Sequence, residues 1–555
     1  MDTNTLTKEH NPRDPFQRLR KYLRLKLEKT TLYGITLMGG GFDELVTTPT
    51  DPWPGNHNLG QTMLEGKFQI EDEFLNLNDI LDSPLNENLS KNKLMRLHGF
   101  DWLRDLRAIG DNASRRLARQ LISHWINNNR RCLSKYWLTE AWQPDIVGHR
   151  LANWIGLYDF FCSSADENFR YYFFKNLDQQ YRYLKRCYRD IENPLTRLYA
   201  LKGLIFAAST FPKQQEHLSI LLGVLEETVQ EQLLLDGGHE SRNPEIQLLV
   251  LKDLIDIRAI LRNLDFKDPA FLQTSINQMA PIVRLFRHGD GSLANFNGIV
   301  NEEDSQIVRG SPGLIDMVLS LSDVRGRPPS RANNIGYERC SVKNALVLLN
   351  KKPCLDPFTL TNSFGPSTRI LNFEWSVGRE RLIHRGDLII QSSTEDWIQA
   401  DDFTENDDDA HVKIERTTQD GHGFLEAFYE STSQNVSFSH NRQLYISIDN
   451  DDFRGQDSIS FSNEGMSALR FIFYPGVQIS LVADGAIINL PQPINQPRGY
   501  HPERKEPQSW RFIVSGHQEI TRQICPTTNA QAILLLSPLN PDQIVVTKWA
   551  FHLSH

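Results

Sequence analysis

The sequence predicts a multidomain α+β protein in which an N-terminal (α/α) toroid is followed by a C-terminal antiparallel β-sandwich. From about residue 98, apolar residues recur at helical spacing, with only short breaks, until the linker-like stretch 323–335. Beyond it, short strand-like runs follow one another with turn signals between them and no helices. Helices paired through short loops are typical of an (α/α) toroid, and many closely spaced strands indicate a sandwich.

Three regions are predicted on this basis: an N-terminal extension with short strands (1–97), the helical domain (98–325) and the sandwich domain (336–555). The predicted helices are 100–108, 113–128, 143–163, 167–190, 194–210, 214–235, 244–263, 268–287 and 311–322. The predicted strands are 345–349, 371–375, 382–383, 388–390, 436–438, 444–448, 469–473, 478–482, 486–490, 510–514 and 532–536.

Composition excludes several classes of function. A net charge of −9 argues against a nucleic-acid-binding protein, although an acidic chain can still hold an anionic sugar in a local basic cleft. The six cysteines are scattered and form no CxxC pair, so neither a zinc knuckle nor a redox motif is predicted. No metal and no cofactor is expected.

The N-terminal part of the chain lacks the continuous apolar segment of a secretory signal, which predicts a cytoplasmic location. No apolar run approaches the ~20 residues of a membrane-spanning helix. The basic stretch 18–29 has interleaved leucines and predicts a short amphipathic helix, with a role at a membrane surface as the alternative. The acidic stretch 401–409 predicts a solvated loop.

The connection 236–244 is unusually rich in chemical groups for a link between two helices. Its glycines allow a sharp turn, and Asn243 can cap the next helix with Pro244 at the first position. Among these residues stand a histidine, two carboxylates and an arginine. The connection is therefore either part of a functional site or a capped surface turn.

Nine stretches, taken in order, resemble the heparinase II/III family of polysaccharide lyases, most closely its α-proteobacterial branch. They are His98–Arg104, Trp142–Trp154, Leu235–Pro244, Arg287–Gly298, Gly336–Arg339, Phe373–Leu382, Arg442–Tyr445, Asp452–Asp457 and Arg470–Val477. The resemblance runs through most of the chain and implies the same toroid and sandwich that the periodicity predicts.

The resemblance implies β-elimination on an anionic polysaccharide or oligosaccharide that contains uronate. In such a reaction the uronate carboxylate is neutralised, while a Tyr or His removes the C5 proton and another protonates the leaving oxygen. The candidate catalytic residues are His239, His288, Asn153 and Tyr337. The candidate substrate-binding residues are Arg150, Trp154, Asn243, Arg242, Arg287, Asp290, Asn297 and His440.

Each assignment has a structural alternative. Trp154 could stack on a sugar ring or belong to the helical core, and Asn153 could be an ordinary helix-face amide. His288 could be oriented by Asp290 as an acid or base, or only make a contact within its turn. Tyr337 fits a packed strand tyrosine as well as a replacement acid or base.

The sequence departs from the family pattern at several places. Active members of the family commonly carry a Tyr-His pair shortly after the Asp-Gly-Gly-His loop, whereas residues 244–247 here read Pro-Glu-Ile-Gln. Ser367 stands where the sandwich motif has a histidine. Residues 418–421 read Thr-Gln-Asp-Gly instead of Ser-His-Asp-Gly, and 472–474 read Ile-Phe-Tyr instead of His-Leu-His. His440 alone survives of the sandwich histidines, so the zinc that some relatives hold is not expected; Tyr429 and Tyr337 are possible replacement acids or bases.

Three functions remain open. The first is a carbon–oxygen lyase, and the second is a catalytically impaired relative that binds glycan or acts as a scaffold in envelope polysaccharide metabolism. The resemblance favours the cell envelope or periplasm for both. The third is an inverting hydrolase that uses two of Asp236, Glu240 and Asp290. A carbohydrate site built from these motifs requires the turns at 236–244 and 287–291 to converge on one hollow that faces the strands.

Overall fold

A computed structural model gives the structure of residues 31–37, 43–70, 73–77, 91–129, 140–212, 214–264, 266–296, 312–352, 370–392, 397–398, 412–433, 436–491, 509–517, 519–524, 529–541 and 543–554. The predictions for the basic stretch 18–29, the acidic stretch 401–409, Asn297 and Ser367 lie outside these described residues.

The N-terminal half is helical. Its α-helices are α1 (Thr31–Leu37), α2 (His57–Leu64), α3 (Lys91–Gly99), α4 (Leu103–Ile109), α5 (Asn112–Asn128), α6 (Pro144–Gly156), α7 (Tyr158–Phe161), α8 (Glu167–Cys187), α9 (Pro194–Thr210), α10 (Leu218–Gln232), α11 (Pro244–Asn263), α12 (Ala270–Leu285) and α13 (Pro312–Leu321). Short 3₁₀ turns lie at Glu140–Trp142, Tyr188–Asp190 and Gln215–His217.

Polar caps fix where several helices begin. The side chains of Asp111, Asp166 and Asn193 accept hydrogen bonds from the backbone at the starts of α5, α8 and α9. Helix α9 is buried almost all round and packs against α6, where glycines let the backbones approach. A Cβ on Gly203 would lie 2.5 Å from the carbonyl oxygen of Gly148, so a larger residue there would force the two helices apart.

The prediction of short strands and turns for 30–95 is only partly correct. The region contains the hairpin β1 (Lys67–Ile70) and β2 (Glu73–Asn76), but also helices α1, α2 and α3. Asn56 caps α2 by accepting hydrogen bonds from the backbone of Asn58 and Leu59. This cap satisfies the first backbone amides of α2, and Leu59 and Met63 are buried one turn apart on the same face. A helix therefore forms here, although the turn-rich sequence around it predicts short strands.

The C-terminal half forms two antiparallel sheets. Its strands are β3 (Arg331–Ala332), β4 (Tyr337–Val342), β5 (Ala345–Asn350), β6 (Phe373–Val377), β7 (Glu380–Ser392), β8 (Trp397–Ile398), β9 (Lys413–Gln419), β10 (His422–Ser433), β11 (Val436–Ile446), β12 (Asp452–Phe461), β13 (Gly465–Phe473), β14 (Gln478–Val482), β15 (Gly485–Asn489), β16 (Ser509–Ser515), β17 (Glu519–Ile524), β18 (Gln531–Leu539) and β19 (Ile544–Ser554).

The nine-stranded sheet has the order β17-β18-β13-β7-β6-β5-β4-β3, with β8 paired to β7. The eight-stranded sheet has the order β14-β15-β16-β19-β12-β11-β10-β9. One large apolar cluster between the sheets, which includes Trp375, Phe453, Phe471, Trp510 and Phe551, forms the core of the sandwich.

The chain divides into two compact units, and we describe each by itself. One comprises Met1–Glu231 and Asp256–Ala270, and the other comprises Gln232–Ile255 and Phe271–His555. The predicted domain boundaries follow a different criterion, the change from helices to strands along the chain. None of the helices in the described part of the chain is long and apolar enough to span a bilayer.

Candidate functional site

The connection between α10 and α11 forms a tight turn, which we call the Gly-Gly turn (residues 233–243). Leu233 and His239 form an isolated antiparallel bridge, and the amide of Leu234 donates to the carbonyl oxygen of Gly238 at 2.8 Å. Gly237 has a positive φ of 85°, and a Cβ there would lie 2.1 Å from the carbonyl oxygen of Gln278. Only glycine fits this position, because both the backbone conformation and the space exclude a side chain.

The imidazole of His239 is enclosed within this turn. It is 2% exposed, and its Nδ1 lies 2.8 Å from the hydroxyl of Ser241 while its Nε2 lies 3.0 Å from Oε1 of Gln232. Gln247 fastens the turn by accepting from the amide of His239 at 2.6 Å and donating to the carbonyl of Gly237 at 2.9 Å. Burial lowers the pKa of His239 to about 4, so the ring is neutral at pH 7.

Arg242 binds the sandwich backbone. Its φ of 56° is uncommon for a residue with a Cβ, and its guanidinium donates to the carbonyl of Ile335 at 3.0 Å and to Oδ1 of Asn350 at 2.9 Å. The hydroxyl of Tyr337 donates to the Arg242 carbonyl at 2.9 Å, and the tyrosine is fully buried. Asn243 caps α11 by accepting from the amide of Glu245 at 2.8 Å, which confirms its predicted structural role.

The second turn, at 286–294, also closes on itself, and we call it the Arg-His turn. Arg287 and Leu293 form an isolated bridge, and the amide of His288 donates to the carbonyl of Ser292 at 2.9 Å. Asp290 accepts from the amide of Ser292 at 2.9 Å and from its hydroxyl. Arg287 lies half-buried and pairs with Asp316 at 2.6 Å.

His288 is oriented by the sandwich rather than by Asp290. It is 4% exposed, its Nδ1 lies 2.7 Å from the hydroxyl of Ser376, and its Nε2 lies 3.2 Å from Oε2 of Glu374. Glu374 also accepts from Arg381 and from the amide of Asn295. Burial, followed by the nearby charge of Arg381, lowers the pKa of His288 well below its usual value.

The two turns reach the same sheet. The ring of Tyr337 packs edge-on against Phe286 at 4.8 Å and tilted against Phe296 at 5.0 Å, while its hydroxyl contacts the Gly-Gly turn. A Cβ on Gly238 would lie 2.5 Å from the side chain of Ile335, and one on Gly289 would lie 1.9 Å from the carbonyl of Gly378. The turns therefore meet Tyr337 of β4 and the connections beside the strands through packed side chains and backbone at these contacts, and not around an open hollow.

Two of the three carboxylates considered for a hydrolase, Asp236 and Asp290, accept hydrogen bonds from the protein's own backbone. Asp236 accepts from the amides of Asn334 and Ile335 at 2.7 and 2.9 Å, and Asp290 accepts from Ser292 within its own turn. Because these carboxylate oxygens already accept hydrogen bonds from the protein, they are poorly placed to act as an acid and a base. This argues against the hypothesis that the chain is an inverting hydrolase.

Arg150 and Trp154 lie in the core of the helical unit. Trp154 is fully buried, and its ring packs against Phe100, Trp125 and Phe173 at 5.1, 5.6 and 5.5 Å. The guanidinium of Arg150 stacks over Trp125 at 3.9 Å and donates to backbone carbonyls and to Gln180. This placement argues against the predicted roles, because neither side chain presents a face to a sugar.

Asn153 belongs to a polar cluster that sequence reasoning missed. Its Oδ1 accepts from Arg104 at 2.8 Å, and its Nδ2 donates to the carbonyl of Gly99 at 2.8 Å. Arg104 pairs with Asp51 at 2.6 Å. The cavity beside these residues measures about 20 Å³, which is room for about one water.

A second ion pair borders that cavity. Lys202 pairs with Asp256 at 2.6 Å, and Asp256 also accepts from the indole of Trp53 at 2.6 Å. The groups of this cluster are far apart in the sequence, so no motif could have signalled it.

His440 lies in the interior of the sandwich. It is buried and contacts Oδ1 of Asp457 at 2.7 Å through Nε2; the same carboxylate accepts from Arg442 at 2.6 Å and from the indole of Trp549 at 2.7 Å. Arg442 also donates to the carbonyls of Leu371 and Gly386. The predicted contact of His440 with substrate is therefore disfavoured, because the ring serves a buried ionic network. Tyr429 is buried in the same core.

Another cluster that sequence reasoning did not assemble surrounds Tyr474. The guanidinium of Arg381 lies 4.3 Å from the centre of its ring, and His384 packs edge-on against it at 5.1 Å. Burial lowers the pKa of His384 to about 4, although Glu374 opposes the shift. The signal was present, since Tyr474 stands where the family motif has histidine. No group of three or more His, Cys, Asp or Glu side chains in the described ranges is arranged to hold a metal ion.

Comparison with known proteins defines the class. The family model described as Heparinase II/III N-terminus matches residues 60–311, and the one described as Heparinase II/III-like, C-terminal matches residues 390–547. These spans cover most of the chain, which therefore belongs to the heparinase II/III family.

Particular relatives agree with this assignment. FtsZ-localized protein C of Caulobacter vibrioides is 25% identical over 493 residues, which is 81% of each chain, and this match is compatible with the branch that the motifs resemble. The crystal structure of heparinase III is 13% identical, with a TM-score of 0.61 over 98% of this chain and 92% of that one. The Streptomyces coelicolor A3 chondroitin AC lyase complexed with chondroitin sulphate is 10% identical, with a TM-score of 0.51 over 96% and 83%. The predicted fold class, a helical toroid followed by an antiparallel sandwich, is confirmed.

Lowering the pH should destabilise the protein partly through His239. Its pKa is about 4 in the folded chain, against about 6.5 when unfolded, so the unfolded state binds the extra proton between these values. The contribution is fully present above pH 6.5 and is lost as the pH falls towards 4, with a slope of at most about 1.4 kcal/mol per pH unit. Urea unfolding between pH 7.5 and 5 measures it.

The variant His239→Gln isolates this contribution. It should reduce the slope of unfolding free energy against pH, whereas His57→Gln, at an exposed position, should leave the slope as in the wild type. An unchanged slope in His239→Gln would mean that the ring titrates normally and is not enclosed.

Proposed function

We propose that this chain is a glycan-binding member of the heparinase II/III family that acts as a scaffold in envelope polysaccharide metabolism and does not catalyse β-elimination. One observation carries the proposal. The candidate proton-transfer groups His239, His288 and Tyr337 are all enclosed, and each is bonded to other groups of the protein.

Elimination requires a base within hydrogen-bond reach of the substrate C5 proton, about 2.6–3.2 Å. Both ring nitrogens of His239 already contact protein groups, and those of His288 lie next to Ser376 and Glu374. To meet a substrate, either ring would have to leave a buried site and abandon these partners. Leaving buried polar groups unsatisfied costs about 1–3 kcal/mol each, which opposes such a movement.

The groups expected to neutralise the uronate carboxylate are engaged in the same way. Arg242 binds backbone carbonyls of the sandwich, and Asn153 is bonded to Arg104 and Gly99. The erosion of the sandwich histidines in the sequence supports the same conclusion. The relative from Caulobacter is named for its localisation with FtsZ and not for a reaction, which is compatible with a scaffold.

A retained lyase is the second candidate, and Tyr474 favours it. This tyrosine is half-buried, stands at a family histidine position, and has Arg381 over its ring at 4.3 Å. A tyrosine held beside a cation is a suitable acid or base for elimination. On this reading Tyr474 replaces the lost histidine, while His239 and His288 serve only the structure.

The two candidates differ in a direct assay. Uronate polysaccharides are incubated with the full chain, and the ultraviolet absorbance of unsaturated uronate ends is followed beside an active heparinase III. We expect no rise in absorbance, while equilibrium binding to the same polysaccharides is measurable.

A rise in absorbance that is lost in Tyr474→Phe would establish the lyase candidate. A rise lost in His239→Ala would identify His239 as the base and contradict the proposal that the chain does not catalyse elimination. New reducing ends without absorbance would indicate hydrolysis.

A further inference from the structure

The outer face of the eight-stranded sheet carries a groove that the turns and their histidines do not use. Its volume is about 660 Å³, within the range typical of ligand sites. Side chains of β9, β10, β11, β12, β19 and β16 line it. These strands are hydrogen-bonded neighbours in the sheet, so the floor is continuous over six strands, or roughly 24 Å.

Strand register arranges the lining in two parallel rows that cross the sheet. The first row is Thr417, Phe424, Tyr445, Arg454, Ala550 and Ile513. The second row is Glu415, Glu426, Gln443, Gln456, Lys548 and Ser515. Each residue lies directly opposite its neighbours on adjacent strands, so an extended ligand that crosses the strands meets both rows at once.

The first row supplies an aromatic surface. Phe424 is 37% exposed and packs at 5.1 Å against Tyr445, whose hydroxyl lies 2.9 Å from Nδ1 of His422. The tyrosine ring is thereby fixed, with the guanidinium of Arg454 at 5.7 Å from its centre. Fixed aromatic rings with a polar edge suit sugars, which present an apolar C–H face and a rim of hydroxyls.

The second row supplies planar hydrogen-bonding groups in a fixed order. Glu426 accepts from Nδ2 of Asn441 and Nε2 of Gln443, both at 2.9 Å, and these bonds lower its pKa. Gln456 follows on the next strand. Amide and carboxylate groups together offer both donors and acceptors, as paired hydroxyls require.

Charge is separated along the groove. The carboxylates of Glu415 and Glu426 lie on β9 and β10, whereas the cations of Arg454 and Lys548 lie on β12 and β19, diagonal to each other. The Arg454 side chain pairs with Asp452 but is 58% exposed, so donors remain accessible. An acidic sugar fits this pattern when its carboxylate faces the two cations and its hydroxyls face the amides.

A peptide strand is a poorer fit. The central strands of the groove are paired on both sides, so no free main-chain edge is available for β-augmentation there. Recognition must therefore use side chains, and these are the hydrogen-bonding and aromatic types described above.

We propose that this groove binds a uronate-containing oligosaccharide, with the sugar carboxylate held by Arg454 and Lys548 and a sugar ring stacked on Phe424 and Tyr445. The inference rests on the proposed function, since it names the surface through which the chain binds glycan. The inference places glycan recognition on the outer face of the eight-stranded sheet and not at the two turns.

The test measures calorimetric binding of hyaluronan oligosaccharides to the full chain, with cello-oligosaccharides as the uncharged comparison. Lys548→Glu and Phe424→Ala should each weaken binding about tenfold or more, and Lys548→Arg should retain most of it. Lys413→Glu is the matched control, because it makes the same charge change at an exposed position of β9 outside the groove lining. Thermal unfolding of every variant shows that the fold is kept.

The outcomes separate the two proposals. If Lys548→Glu and Phe424→Ala both bind uronate oligosaccharides as tightly as the wild type does, the groove assignment is overturned. The proposed function would still stand. No wild-type binding to any uronate oligosaccharide would overturn both. Sedimentation gives a third outcome. If the wild type dimerises with rising concentration, the two variants do not, and no glycan binds at the groove, the surface belongs to a second copy of the chain and the inference is overturned.

Discussion

Replacing Asp457 with alanine should lower the free energy of unfolding by about 3–5 kcal/mol, the usual cost of removing one partner of a buried ion pair. Asp457 is fully buried and accepts hydrogen bonds from Arg442, His440 and Trp549. Burial would raise its pKa, but the charge of Arg442 and the bond from His440 outweigh burial, and the pKa lies below its usual range. Without this carboxylate, the Arg442 cation would remain in the core without its counter-ion.

Urea unfolding followed by tryptophan fluorescence measures the effect. Asp484→Ala is the matched control, because Asp484 also pairs with an arginine, Arg511, at 2.8 Å, but both side chains are more than half exposed. It should cost less than about 1 kcal/mol. Equal effects of the two substitutions would mean that the Asp457 site is open to water, and His440 would again be a candidate for contact with substrate.

Gly289→Ala should destabilise the protein by about 3 kcal/mol, because an added Cβ would lie 1.9 Å from the carbonyl oxygen of Gly378. That contact is between backbone atoms, so relief requires the Arg-His turn to move away from β6 and β7. The movement would also withdraw His288 from Ser376 and Glu374.

Two measurements check this expectation. Chemical unfolding gives the stability change, and limited trypsin digestion reports whether cleavage after Arg287 becomes faster. Gly223→Ala is the control, since this exposed helical glycine has nothing within 4 Å of the added Cβ and should gain about 0.5–1 kcal/mol. Wild-type stability and cleavage in Gly289→Ala would show that the turn does not rest on the sheet.

The helical unit was the more predictable part of the fold. Its helices begin at polar caps such as Asp111, Asp166 and Asn193, and caps are local signals that a sequence displays directly. Strands were harder. Strands β12 and β19 were not predicted because buried polar residues, Asp457 in β12 and Thr547 in β19, interrupt the apolar alternation of their inward faces. Strand β7 was read as two pieces because Arg385, Gly386 and Asp387 interrupt its apolar pattern.

The candidate site was predictable in part. The cap at Asn243 and the closed turn at 287–293 follow from local residues. The burial of His239 and His288 does not, because Ser376 and Glu374, which hold His288, are more than eighty residues away in sequence. For His440 a usable signal existed. His440 and Arg442 alternate on one face of a strand, and a buried arginine requires a carboxylate, which Asp457 provides.

The course of the chain constrains how this protein can exchange parts during evolution. Phe286 and Phe296 pack on Tyr337, and Arg242 binds Ile335 and Asn350, so the sandwich is completed by segments that precede the linker at 323–335. Recombination at that linker would separate the strands from Phe286, Phe296 and Arg242, the aromatic and cationic residues that pack on them. A descendant that keeps these strands must therefore inherit both turns as well, even if the turns perform no chemistry.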